Sequence, residues 1–262
     1  MLQGLVLVPA MGAIAAPNMP PDVADLLPGT FSNEEQVYFD KDAGRKAAPW
    51  MSLRISIDDG NLMLEQIDAK GKAIVDAQEI AVSNTGKRSL ISVGHCGRYF
   101  DRTEGGWTYS AMQNRMACQQ AFQIIAITRE SITLQLNNGT ETILKRARPV
   151  TCWAAIPKSK AKEDGDTDWL FSKDLKLHDQ GGRVTVGGGD SGAEAVTLRM
   201  RAVHWPPPST NRPSMVPYIH KDDPDRAASY SWADIDASRV GLNLRWMQAS
   251  CTIEGAERVS GD

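Results

Sequence analysis

The fold is decided by WMSLRISIDDGNLMLEQI, residues 50–67. Asp59-Gly60 between two alternating runs is the strongest short hairpin signal, because a two-residue type I′ turn needs residues that accept positive φ. Such a turn fixes the register. Asp58 then faces Asn61, Ile57 faces Leu62, Ile55 faces Leu64 and Leu53 faces Gln66. The last three of these pairs share one face, which is almost wholly aliphatic. On the other face Arg54 meets Glu65 and Ser56 meets Met63, so charge and apolar pairing agree.

The same texture continues downstream. Residues 72–82 alternate weakly, and 89–100, SLISVGHCGRYF, read as a strand kinked at its glycines. Further short apolar runs occupy 106–112, 118–127, 131–136, 140–147 and 151–156. Asn138-Gly139 repeats the hairpin signal, which accounts for Asn-Gly-Thr better than a glycosylation role does. Neighbouring strands linked by short turns make an antiparallel meander, and eight or more of them close into a barrel to remove their edges. The expected fold is mainly β, an antiparallel barrel over 27–156 with a short N-terminal helix and a β-rich C-terminal extension. Residues 157–168 are charged and read as a solvated loop. Residues 169–262 hold further short strands that either join the barrel or form an appended sheet.

Upstream lies LPGTFSNEEQVYF, residues 27–39. Ser32-Asn33-Glu34-Glu35 fits a capping box, with Ser32 accepting from the Glu35 amide and the Glu35 carboxylate reaching back. A short helix therefore begins near Asn33 and is ended by Gly44 and Pro49. What precedes residue 27 reads as a leader. Residues 1–16, MLQGLVLVPAMGAIAA, are apolar, uncharged and end in small residues, as a signal peptide does, although a basic n-region is missing. A buried apolar N-terminus is the other reading. The run is too short to span a bilayer as a helix, and no later segment would do so. Export to the periplasm or beyond suggests two disulfides among Cys96, Cys118, Cys152 and Cys251. Of three connectivities, Cys96–Cys118 and Cys152–Cys251 are preferred; without export the four are buried thiols. Their spacing does not suit zinc.

The net charge of −3 comes with no basic field, which argues against nucleic acid. Val-Gly-His-Cys at 93–96 and Gly-Asp-Ser-Gly at 189–192 match fragments of trypsin-like proteases, and Ser191, His95 and Glu141 would be a sensible triad. The reading fails on spacing: 50 residues between Glu141 and Ser191 cannot hold a second six-stranded barrel. A Gly-rich turn explains 187–192 instead. Four scattered histidines, His95, His178, His204 and His220, give no metal-ligand spacing, so no metal is assigned. Trp50, Gln66, Arg98, Tyr99, Trp107 and Tyr109 lie on or near the strands. Such residues suit a pocket for a large planar acid, and they equally suit a barrel core and its rim.

The opening stretch, together with the second strand of the hairpin, resembles the start of the CpcT/CpeT family. Leu27, Gly29, Phe31, Ser32, Asn33 and Gln36 match its helix-start pattern, and Leu62, Leu64, Glu65 and Gln66 match its apolar-x-apolar-Glu-Gln strand. The resemblance covers 27–67 well and extends loosely to about 156. It implies a lipocalin-like barrel whose calyx takes a hydrophobic, bilin or other tetrapyrrole-like ligand. Founding members attach a bilin to a cysteine of a client protein, so lyase activity is one implied reading and a non-catalytic envelope or interaction role is another. No catalytic residue carries over, and no client is implied for an exported chain.

Overall fold

The computed structural model describes residues 21–112, 118, 120–158 and 167–255. The leader reading of 1–16 and most of the charged loop, 159–166, lie outside these residues. The chain begins with α1 (Val23–Leu26), β1 (Gly29–Ser32) and α2 (Glu34–Asp42). Then come β2 (Ser52–Asp58), β3 (Asn61–Gln66), β4 (Gln78–Asn84), β5 (Arg88–Val93) and β6 (Cys96–Thr103). They are followed by β7 (Gly106–Met112), β8 (Phe122–Ile127), β9 (Ser131–Leu136) and β10 (Glu141–Ala147). The protein is mainly β, and these ten strands form a closed antiparallel barrel. Strands β2 to β10 are a plain meander, and β1 closes it by pairing with both β2 and β10.

The β2–β3 hairpin has the register expected from Asp59-Gly60, from Asp58 opposite Asn61 to Leu53 opposite Gln66. Arg54 bonds Glu65 across it, Nε to Oε2, at 2.8 Å. Asn138-Gly139 is likewise a turn, with Asn138 Oδ1 accepting from the Thr140 amide at 3.0 Å. Leu53, Ile55, Leu64, Phe100, Trp107, Ile132 and Leu144 fill the barrel from several strands.

Several expectations are corrected. Residues 89–100 are two strands, not one kinked strand: Val93 pairs with Cys96 across a Gly94-His95 turn, where Gly94 takes φ +56°. The capping box does not form. Asn33 is the N-cap and Ser32 Oγ accepts from the Glu34 amide at 3.3 Å, because both glutamates are drawn into tertiary ion pairs. Residues 29–32 are not merely a lead-in to the helix but the closing strand. Folded structure also starts before residue 27. Val23, Leu26 and Leu27 are buried in the barrel core, and Trp107 Nε1 donates to Pro21 O at 3.2 Å, so α1 plugs one end.

The barrel ends at Ala147 rather than 156. Both edges of β10 are already taken, by β9 and β1, so the next strand has no place in it. β11 (Pro149–Pro157) instead founds a second unit with β12 (Trp169–His178), β13 (Gln180–Val186), β14 (Val196–Val203) and β15 (Ser214–His220). β16 (Ser229–Tyr230), β17 (Ala233–Asp234), β18 (Arg239–Leu244) and β19 (Met247–Ile253) complete it. One sheet runs β12-β11-β19-β18; the other runs β13-β14-β15-β16, with β17 also on β15. Val150, Ile156, Leu198, Met200, Met215, Ile219 and Met247 come from both sheets and share one core, which makes the unit a β-sandwich.

Both preferred disulfides are present. Cys96–Cys118 pins the segment after β7 to the β5–β6 turn, and Cys152–Cys251 joins directly opposed residues of β11 and β19. Among the described residues no helix is long and apolar enough to cross a membrane.

Candidate ligand site at the barrel mouth

The end of the barrel opposite α1 is open because two strand pairs part there. β3 and β4 pair only over Leu62–Leu64 with Gln78–Ile80, and β7 and β8 only at Trp107 and Thr108. Between them lies a cavity of about 210 Å³. Leu53, Leu64, Val93, Phe122 and Ile124 supply its apolar wall, while Gln66, Asp76, Gln78, Arg98 and Gln120 supply polar groups.

Arg98 dominates the chemistry. Strand alternation turns it and Phe100 inward, and it is only 4% exposed. Nη1 donates to Gln120 Oε1 at 2.9 Å, and Gln120 Nε2 in turn donates to Val93 O at 3.1 Å. Nε has no partner, and no carboxylate forms an ion pair with Arg98 among the described residues. Burial lowers its pKa, as expected for a desolvated cation. A buried donor without an acceptor costs roughly 1–3 kcal/mol, so an anionic oxygen placed at Nε would be favoured.

The six candidate residues divide. Gln66 and Arg98 line the mouth. Trp107 is in the closed end, and Tyr109 packs edge-on to Phe100, with ring centroids 6.3 Å apart. Tyr99 falls on the outer face below Arg88, whose guanidinium lies 5.9 Å from the ring centroid. Trp50 is outside the barrel too, donating to Glu34 Oε2 at 2.7 Å. Asp76, Gln78 and Gln120 were not singled out from sequence; their positions depend on where β3/β4 and β7/β8 separate.

The motif residues are structural. Asn33 Nδ2 donates to Pro49 O at 2.8 Å, and Asn33 Oδ1 accepts from the Met51 amide at 2.7 Å. Gln36 Oε1 accepts from Thr142 Oγ1 and the Ile143 amide, which binds α2 to β10. Gly29 has φ +145°, and a Cβ there would run into Arg146 Nη1. The Arg146 guanidinium sits 4.5 Å from the Phe31 ring centroid and donates to Pro28 O at 2.6 Å. Glu34 bonds Arg199, and Glu35 bonds Lys145 and the amide of His204, the last at 2.5 Å. Burial pushes the Glu35 pKa up, but His204 and Lys145 outweigh it and leave the pKa lowered. Thus α2 docks the sandwich onto the barrel.

The protease fragments stay apart in the fold. His95 is in a barrel turn, while Ser191 is in a short turn of the sandwich, with its Oγ 3.3 Å from both Ala193 O and Ala193 N. A scan against protein-family models and searches of curated proteins and of solved structures find no match.

Proposed function

We propose that the protein is an exported binding module whose barrel mouth takes an apolar ligand bearing an anionic head. The observation that carries this reading is Arg98, buried at the mouth with no ion-pair partner and no partner for Nε among the described residues. The head would sit on Arg98 and Gln120, and the tail would lie against Leu53, Leu64 and Ile124. The resemblance of 27–67 to the CpcT/CpeT family supports a ligand-holding calyx. The two disulfides support an oxidising compartment.

Size narrows the ligand class. Pockets for drug-sized ligands run about 300–1,000 Å³, and this cavity is about 210 Å³. It takes a short-chain carboxylic acid whole, and a bilin only by one propionate-bearing end. Protein isolated from its native host is first examined by absorbance and intact mass. Calorimetry then compares octanoate, octanol and biliverdin on the wild type and on Arg98→Met. Octanoate should bind at least about tenfold more tightly than octanol, and Arg98→Met should erase that preference. Absence of binding by all three, or a preference untouched in the variant, refutes the reading.

A further inference from the structure

A second cleft, of about 660 Å³, runs along the seam between barrel and sandwich. One wall is barrel: β1, Arg54 of β2, the turn after β3, and Arg146 of β10. The other is sandwich: Lys176 and His178 of β12, Arg183 of β13, and Glu254. The Arg183 amide donates to Ala69 O at 2.7 Å and ties the walls together. Among the described residues six cations face this space, Arg54, Lys70, Arg146, Arg148, Lys176 and Arg183, against one carboxylate, that of Glu254.

Two of the six are neutralised: Arg54 by Glu65 and Arg148 by Asp179. The other four have no carboxylate at ion-pair distance among the described residues. Arg146 donates to the carbonyls of Leu26, Pro28 and Arg129, Arg183 to Pro224 O, and Lys176 to Thr151 Oγ1. These hydrogen-bond partners are neutral, and Glu130 and Asp225 act on Arg146 and Arg183 only through space, without an ion-pair contact. Burial outweighs those carboxylates and lowers the pKa of both arginines, as expected for desolvated cations.

His178 is an independent sign of a missing partner. It lines the cleft, is 9% exposed, and neither ring nitrogen has a hydrogen-bond partner among the described residues. Gly182 backs it so closely that a Cβ there would strike its backbone and ring. Buried polar groups are nearly always satisfied, and an orphan beside a cavity points to a ligand that completes it.

We propose that the seam cleft binds a small polyanion carrying two or more phosphate or sulfate groups, gripped by Lys70, Arg146, Lys176 and Arg183. The cations come from four separate elements around a space of ligand size, which suits several anionic groups better than one. Junctions between units are common places for such sites. The site is distinct from the barrel mouth, and neither depends on the other.

The test is calorimetry on the full chain in roughly 150 mM salt, where exposed long-range charge effects are screened. Tripolyphosphate and a sulfated disaccharide are titrated separately. At least one should bind at one site per chain, and a preference between them assigns phosphate or sulfate. Lys70→Gln with Lys176→Gln should weaken binding about tenfold or more, since a direct charged contact is removed twice. Lys46→Gln with Lys87→Gln removes the same charge from exposed positions that do not line the cleft, and should change it less than about twofold. The His178 imidazole signals should shift during the titration. Both lysine pairs are surface changes, and circular dichroism checks that they fold. The proposal is overturned if neither probe binds, if both double variants weaken binding equally, or if the His178 signals stay still at saturation.

Discussion

Acidification should destabilise this protein through His178, and the size of the effect follows from its burial. Burial lowers the His178 pKa from 6.5 to about 4. Between those values the unfolded chain binds a proton that the folded chain refuses. The stabilising contribution is therefore complete above pH 6.5 and is lost as the pH falls towards 4. At about 1.36 kcal/mol per pK unit the full loss is roughly 3 kcal/mol, of which about 2.5 kcal/mol has gone by pH 4.5. Asp179 acts the other way: burial raises its pKa, so its contribution increases as pH falls through its own range. Glu35, whose pKa is lowered, adds a loss only below about pH 4.5. Comparison with His178→Phe cancels these background groups. Urea denaturation of both proteins at pH 7 and pH 4.5 should show the wild type losing about 2 kcal/mol more than the variant. Equal losses, or an imidazole pKa measured by NMR within about half a unit of 6.5, would refute the argument.

Three further outcomes are expected. Replacing Cys152 and Cys251 by serine opens a crosslink spanning 99 residues, and denaturant unfolding should show a loss of roughly 3–5 kcal/mol, concentrated in the sandwich. Trp107→Ala empties the closed end of the barrel and frees Pro21 O, so thermal and urea unfolding should report about 3–5 kcal/mol of destabilisation with β structure retained by circular dichroism. The Arg54–Glu65 pair is partly exposed at 39% and 21%, so a double-mutant cycle should give a coupling below about 1 kcal/mol despite its good geometry.

What the sequence discloses follows from how local each feature is. The β2–β3 register is set by two turn residues and by alternation over a few positions, so it can be read from residues 50–67 alone. Alternation also determines that Arg98 and Phe100 face one way and Tyr99 the other, a distinction that treating the aromatics as one group loses. Gly94-His95 hid a hairpin because Gly94 looks like a flaw in a strand, whereas its positive φ makes the turn. The capping box fails for a different reason. A side chain spent locally gains one hydrogen bond, but Glu35 finds Lys145 and His204, 110 and 169 residues away, and gains an ion pair and the His204 amide together. Nothing near Glu35 in sequence announces those partners. The same holds for β1, whose four residues become a strand only because the ends of the meander need closing.

The seam shows why bulk charge was a poor guide to ligand chemistry. A net charge of −3 argues against a broad basic surface for nucleic acid. It says nothing of cavities, because a site feels the charges that line it, concentrated by low-dielectric walls, rather than the sum over the chain. Here several carboxylates near the junction are spent in ion pairs. Glu34 and Glu35 hold the sandwich, Asp179 holds Arg148 at the junction, and Glu65 holds Arg54. Docking the second unit thus consumes acidic groups and leaves Lys70, Arg146, Lys176 and Arg183 facing the space it creates. The seam cleft is therefore lined by more cations than carboxylates among the described residues although the chain is acidic overall, and that excess comes from bringing the two units together.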